Sequence, residues 1–158
     1  MLRSIVIALA LLIAFTGCNK EPKCEYNECS YKAPAAEIQA VKDYLAANNI
    51  TATEHCSGLF YRIENLGTGT RPNACSYVLA SYKGTLTNGY VFDQSSAQGV
   101  PFELNGVIAG WTNGLQQIKE GGRIHLYIPP SLGYGGQANG DIPAHSILIF
   151  EVNLLGVQ

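Results

Sequence analysis

The chain has 158 residues, of which 47% are hydrophobic, and a formal net charge of −2 at pH 7. This length fits about one domain. The sequence holds no basic patch and no run of like charges, which argues against nucleic acid as a partner.

The first 17 residues are predicted to be a secretory signal peptide. Arg3 gives a positive start, and the apolar run from Ile5 to Phe15 follows it. That run is too short to span a membrane. The sequence Phe15-Thr16-Gly17-Cys18 resembles a bacterial lipobox, although Leu is the usual residue at its first position. We therefore expect Cys18 to be lipidated and to anchor the protein to a membrane; the alternative is an ordinary signal peptide cleaved elsewhere.

A polar tether is predicted over residues 18–32, and it contains two of four further cysteines. These four are Cys24, Cys29, Cys56 and Cys75. An even number in an exported chain indicates disulfides, and four cysteines allow three pairings. Because Cys56 and Cys75 precede the first two predicted strands, we favour Cys56–Cys75 together with Cys24–Cys29. The cysteine spacings do not match common zinc fingers, and we expect neither a metal nor a cofactor.

An N-terminal helix is predicted within residues 33–49, followed by a linker to residue 56. Ile38, Val41 and Leu45 have helical spacing. Pro34 suits the first turn of a helix. The apolar face can pack on the following domain or on a second copy of the chain. We favour packing within one chain, and the oligomeric state stays open.

From residue 57 onward the hydrophobic pattern changes to period two, which is typical of strands. A first strand begins near Ser57, and a second covers residues 76–86, with Leu79 assigned to the core. Asn88-Gly89 predicts a tight hairpin turn, and residues 90–93 return as the partner strand.

A short helix is predicted from an i, i+4, i+7 apolar repeat that begins at Trp111. A further strand covers residues 123–128, and the last covers 147–155. The glycine-rich loop 131–145 between them is long enough to be functional. Four or five antiparallel strands and one short helix indicate an α+β fold. A curved sheet wrapped on that helix would leave a pocket with Trp111 at its floor.

Several short motifs follow one another in a recognisable order and spacing. They are Tyr82-Lys83-Gly84, Val91-Phe92-Asp93, Pro101-Phe102, Val107-Ile108-Ala109-Gly110-Trp111, Leu132-Gly133-Tyr134-Gly135, Ile142-Pro143-Ala144-His145 and Leu148-Ile149-Phe150-Glu151-Val152. Together they make residues 57–158 resemble an FKBP-type peptidyl-prolyl cis-trans isomerase domain. The upstream helix and lipobox resemble secreted members of this family from Gram-negative bacteria.

The resemblance implies a proline-binding pocket built from ten residues. The catalytic residues would be Tyr82, Phe92, Asp93, Trp111, Tyr134 and Phe150, and the substrate-binding residues would be Phe102, Val107, Ile108 and Ile142. Val107 and Ile108 would offer backbone groups, and Trp111 would lie beneath the proline ring. Tyr134 would donate its hydroxyl to a substrate carbonyl, and Asp93 would be held by a neighbour such as the Tyr82 hydroxyl.

The activity implied by the resemblance is non-covalent rotation of X–Pro bonds in exported polypeptides, with macrolide inhibitors as further ligands. The implied location is the Gram-negative cell envelope. Asn19-Lys20-Glu21, directly after the expected lipid anchor at Cys18, indicates the outer membrane. Two departures from the family pattern are visible. Gln98 stands where many members have Arg, which would leave Asp93 without an ionic partner. Leu132 replaces an aromatic residue near Tyr134. A catalytically weak proline-binding module and a chaperone of the same fold are the alternative functions.

Overall fold

A computed structural model describes residues 24–158 of the chain. The predicted signal peptide and Cys18 lie outside these residues. The strands are β1 Thr53–Glu54, β2 Phe60–Asn65, β3 Tyr77–Leu86, β4 Val91–Gln94, β5 Val100–Glu103, β6 Arg123–Ile128 and β7 Leu148–Val157; the helices are α1 Ala35–Ala47 and α2 Ala109–Leu115. No helix in the described part is long and apolar enough to cross a bilayer.

The seven strands form one antiparallel sheet in the order β1-β2-β6-β7-β3-β4, and β5 pairs with β3. The predicted α+β fold with a curved antiparallel sheet is confirmed, but the sheet has seven strands and not the predicted four or five. The additional strands are short. β5 contains Pro101 and pairs on one side only, against Tyr77–Ala80 of β3. Proline is tolerated at such an edge, so the hydrophobic pattern there gave little sign of a strand.

Helix α2 lies unusually close to strand β6, and two glycines permit this. A Cβ atom on Gly110 would lie 2.5 Å from Ile128 Cγ2, and one on Gly114 would lie 2.5 Å from Leu126 Cδ2. The helix start is fixed by the Thr112 hydroxyl, which donates to the Leu104 carbonyl at 2.5 Å. This packing places Trp111, in the first turn, against the concave face of the sheet.

The core assignment of Leu79 was wrong, since 38% of this residue is exposed. Its neighbours Val78 and Ala80 are buried and face the core. Successive residues of a strand point to opposite faces of the sheet, and here helix α2 covers only one of them. An apolar residue on the uncovered face therefore stays exposed despite its type.

The N-terminal helix is present and begins at Ala35. Ile38, Val41 and Leu45 are buried and belong to the same hydrophobic cluster as the sheet residues. Lys42 forms an ion pair of 2.9 Å with Glu54 at the edge of this contact. Helix α1 thus packs against the domain within one chain.

The predicted disulfide pairing was wrong. The bridges join Cys24 to Cys75 and Cys29 to Cys56. The prediction assumed that the strands following Cys56 and Cys75 are neighbours. In the sheet these strands, β2 and β3, are separated by β6 and β7.

Both bridges instead attach residues 24–32, here called the N-terminal strap, to the body of the domain. The strap contacts helix α2 through side chains. The Tyr26 hydroxyl donates to Asn113 Oδ1 at 2.7 Å, and the Asn113 amide donates to the Glu28 carbonyl at 3.4 Å. The described part of the predicted tether is therefore bound to the domain.

Candidate functional site

A pocket of about 680 Å³ opens between the start of α2, the sheet and the loop after β6. This volume is within the range of small-ligand sites. It is lined by Tyr82, Phe92, Asp93, Phe102, Gly106, Val107, Ile108, Trp111, Tyr134, Asn139, Gly140, Asp141, Ile142 and Phe150. All ten side chains named from the sequence therefore meet in one place, although their roles stay predictions.

The floor of the pocket is an aromatic cluster centred on Trp111. The ring centroids of Tyr82, Phe102 and Phe150 lie 5.1, 5.2 and 5.3 Å from the Trp111 ring, and each pair meets edge to face. Such pairs stabilise by about 0.5–1.5 kcal/mol each beyond their buried area. The rings therefore form a preorganised apolar surface.

The arrangement of the rings on the sheet depends on Gly84 in β3. A Cβ atom at this position would lie 2.6 Å from the Phe92 ring and 2.9 Å from the Phe150 ring. Because Gly84 has none, both rings lie directly over the backbone of β3. Phe92 and Phe150 then meet edge to face, 5.4 Å between centroids.

The acidic group named from the sequence, Asp93, accepts a hydrogen bond from the Tyr82 hydroxyl at 2.6 Å. Burial is the largest cause that raises the pKa of Tyr82, and this hydrogen bond to the Asp93 carboxylate is the second. Together they bring it to about 12. The hydroxyl consequently stays protonated, as a donor to Asp93, throughout the neutral range. Gln98 is exposed, and no cation among residues 24–158 forms an ion pair with Asp93.

The loop that carries Tyr134 is fixed at its base. The Pro130 carbonyl accepts hydrogen bonds from the backbone N–H groups of Gly133 and Gly135, at 2.9 and 2.8 Å. Leu132 is buried in the core, where it takes the place of the aromatic residue expected there. Tyr134 itself is 40% exposed and lies at the rim of the pocket.

Four lining residues were not named from the sequence: Gly106, Asn139, Gly140 and Asp141. Asp141 accepts a hydrogen bond from the Tyr90 hydroxyl at 3.0 Å, which connects the Tyr134 loop to the turn before β4. The length and glycine content of this loop predict a functional role, but nothing in the local sequence pattern distinguishes Asp141 from its neighbours. Asp93 and Asp141 give the pocket two carboxylates, whereas no Lys, Arg or His is among its lining residues.

Comparisons with known proteins agree on the type of domain. A family model described as "FKBP-type peptidyl-prolyl cis-trans isomerase" matches residues 69–155, more than half of the chain. The chain is 43% identical to FkpA of Aeromonas hydrophila over 123 residues, which cover 74% of this chain and 45% of that protein. It is 47% identical to FkpA of Escherichia coli over 104 residues, which cover 65% of this chain and 38% of that protein.

Solved structures show the same likeness. The crystal structure of a peptidyl-prolyl cis-trans isomerase from Pseudomonas syringae has a TM-score of 0.68 and 34% identity, covering 80% of this chain and 98% of that one. The structure of FkpA from Escherichia coli has a TM-score of 0.71 and 40% identity, and the match covers 78% of this chain and 61% of that one. The chain spans less than half the length of the FkpA proteins it matches.

Proposed function

We infer that this chain, which belongs to the FKBP-type peptidyl-prolyl cis-trans isomerase family, catalyses rotation about X–Pro bonds in exported polypeptides. The observation that carries this proposal is the pocket with Trp111 at its floor and Tyr134 at its rim. Macrolide inhibitors are proposed to occupy the same pocket, because they too offer apolar surface and carbonyl oxygens.

Such a pocket suits this reaction because no covalent bond breaks. The barrier of ~18–20 kcal/mol reflects the loss of amide resonance on twisting. The twisted amide has less charge separation than the planar one, so an apolar surrounding disfavours the planar ground state. A thousandfold acceleration requires about 4 kcal/mol of differential stabilisation. A single neutral hydrogen bond supplies about 1 kcal/mol, so shape and desolvation carry the larger share.

Substrate backbone groups are proposed to bind at the start of α2. The Ile108 carbonyl already accepts hydrogen bonds from the N–H groups of Trp111 and Thr112, at 2.9 and 3.2 Å. The Ile108 N–H makes no hydrogen bond to another described residue. It is therefore the group at this position that is left for a substrate carbonyl.

The proposal is tested by a proline-isomerisation assay on purified residues 19–158. Catalysis of an X–Pro peptide is expected. A folded sample without catalysis would favour the alternative, a module that binds proline-containing segments. The observation that favours this alternative is that Asp93 has no ion-pair partner among the described residues.

Tyr134→Phe is expected to lower kcat/KM about fivefold, because it removes one hydrogen bond to the twisted amide and leaves the apolar surface intact. The measurement is steady-state isomerisation of the same peptide by both proteins. Complete loss of activity in a folded variant would contradict the ranking of shape above hydrogen bonding.

Peptides with Lys beside the proline are expected to be better substrates than peptides with Glu there. The two carboxylates of the pocket, Asp93 and Asp141, have no cation beside them among the lining residues. They therefore attract a Lys side chain of the peptide and repel a Glu side chain. Such exposed charge interactions contribute about 0.2–1 kcal/mol, so the expected ratio of kcat/KM values is about 1.4 to five at low salt. The ratio should fall as salt rises.

Asp141→Asn is expected to lower this ratio toward one without abolishing it. The Asn amide oxygen still accepts a hydrogen bond from the Tyr90 hydroxyl but carries no charge, while Asp93 keeps its own. Glu103→Gln is the matched control, because Glu103 is exposed and does not line the pocket. An unchanged ratio in Asp141→Asn, or an equal change in the control, would assign the preference to the net charge of the protein.

The proposed organisation comprises a signal peptide at 1–17, a lipidated tether at 18–32, the helix and linker at 33–56, and the isomerase domain at 57–158. The proposed location is the cell envelope, with Cys18 anchored in the outer membrane. Two disulfides in the described chain support an oxidising compartment. Mass spectrometry of the membrane-extracted protein would show acylation of Cys18.

A further inference from the structure

A carboxylate from helix α1 contacts the base of the Tyr134 loop. Glu37, in the first turn of α1, accepts a hydrogen bond from the Ser131 backbone N–H at 2.8 Å, although 94 residues separate them in sequence. Ser131 lies in the 3-10 turn Pro130–Leu132 that begins this loop. The contact therefore joins the N-terminal helix to the segment that positions a pocket residue.

The Ser131 N–H needs a partner from outside its own turn. The first N–H groups of a helical turn have no acceptor within it, and Pro130 has no N–H to share. The Glu37 carboxylate supplies that acceptor with a charge-assisted bond, which is stronger than a neutral one. The Ser131 hydroxyl is buried without a hydrogen-bond partner in the described chain, so the turn is not held through its side chain.

Glu37 is itself held in place by a packed element. The neighbouring Ile38 and Val41 are 6% and 0% exposed, and the Ala33 N–H donates to the Ser57 carbonyl at 2.9 Å just before the helix. The backbone of Glu37 is therefore fixed relative to the domain, and its carboxylate stays within hydrogen-bonding reach of the Ser131 turn.

The support is transmitted to Tyr134 over three residues. Leu132 is anchored in the core at 1% exposed, and the Pro130 carbonyl holds the N–H groups on both sides of Tyr134. Movement of the Ser131 turn would consequently move the Tyr134 ring relative to the Trp111 floor.

We propose that Glu37 is a positioning residue for Tyr134, so that helix α1 is a working part of the isomerase. This proposal rests on the proposed function. Helix α1 lies outside residues 69–155, which the family model matches, so the family match does not assign it such a role.

The test uses three variants of the full chain. Glu37→Ala is expected to lower kcat about threefold to fivefold with little change in KM, because a misplaced Tyr134 weakens a bond made in the transition state. Glu37→Gln keeps an acceptor oxygen and should restore at least half of the lost activity. Asp43→Ala is the control on the same helix, since Asp43 is exposed and, among residues 24–158, is hydrogen-bonded only to Gln39; it should match the wild type.

The pathway through Tyr134 is tested by a double variant. If Glu37 acts by placing Tyr134, then Glu37→Ala should cost no further activity in a Tyr134→Phe background. Additive losses, failure of Glu37→Gln to restore activity, or unchanged kcat in Glu37→Ala would overturn the proposal. Thermal unfolding of each variant separates these losses from loss of fold.

Hydrogen exchange tests the contact independently of catalysis. The Ser131 and Gly135 amides, which donate to the Glu37 carboxylate and to the Pro130 carbonyl, should exchange faster in Glu37→Ala than in Asp43→Ala. Unchanged exchange at both amides would overturn the positioning role even if the wild type isomerises. Faster exchange together with an inactive wild type would support the contact and refute the proposed function alone.

Discussion

Replacing Trp111 with alanine is expected to lower kcat/KM for X–Pro isomerisation at least tenfold, more than the loss expected from Tyr134→Phe. The indole is the ring against which Tyr82, Phe102 and Phe150 all pack. Its removal opens the floor of the pocket to water and removes the surface on which a proline ring would lie. A tenfold loss corresponds to about 1.4 kcal/mol, roughly the free energy of burying two methylene groups of a proline ring against the indole, at about 0.8 kcal/mol each.

Stability must be measured beside activity, because removing a buried tryptophan destabilises a domain by about 3–5 kcal/mol. Circular dichroism and urea unfolding would show whether Trp111→Ala is folded in the assay. Trp111→Phe is the matched control. It keeps an aromatic floor and removes the indole N–H, which is buried without a hydrogen-bond partner in the described chain. A folded Trp111→Ala protein within twofold of wild-type activity would refute the role of the floor.

The double variant Cys24→Ser, Cys75→Ser is expected to lower the free energy of unfolding by about 4 kcal/mol. The chain-entropy relation gives this value for closing a loop of this length, and the separation of the two cysteines is 51 residues. Cys29→Ser with Cys56→Ser opens a shorter loop, with a separation of 27, and should cost slightly less. Urea unfolding of the oxidised proteins provides the comparison.

A control separates the bridge from the strap contact that it secures. Tyr26→Phe removes only the hydrogen bond to Asn113 and should cost about 1 kcal/mol. Stability within 1 kcal/mol of the wild type in the double serine variant would show that the strap contributes little to the folded state.

Local patterns were sufficient to predict the strands that alternate clearly and the hairpin at Asn88-Gly89. Short edge strands were missed, since β5 has four residues, one of which is Pro101. The exposure of Leu79 could not be read from its type, because it depends on which face of the sheet α2 covers. A sequence pattern gives the alternation but not which of the two faces is covered.

The pocket residues came from a family resemblance, since single motifs such as Pro101-Phe102 are too short to be specific. Asp141 and Glu37 were not identified in this way. Each acts through a contact with a distant segment, Tyr90 or Ser131, that forms only when the loop folds back. The disulfide prediction failed for a related reason, because the order of strands in the sheet determines which cysteines meet.

The two bridges are nested: the pair Cys29–Cys56 lies inside the interval from Cys24 to Cys75. A chain that crosses a membrane with its N-terminus first exposes Cys24 and Cys29 together, before either native partner. An oxidant that acts in order of emergence would join these two to each other. Reaching the native pairing then requires thiol–disulfide exchange. In that case, maturation of the protein would depend on a catalyst that shuffles disulfides.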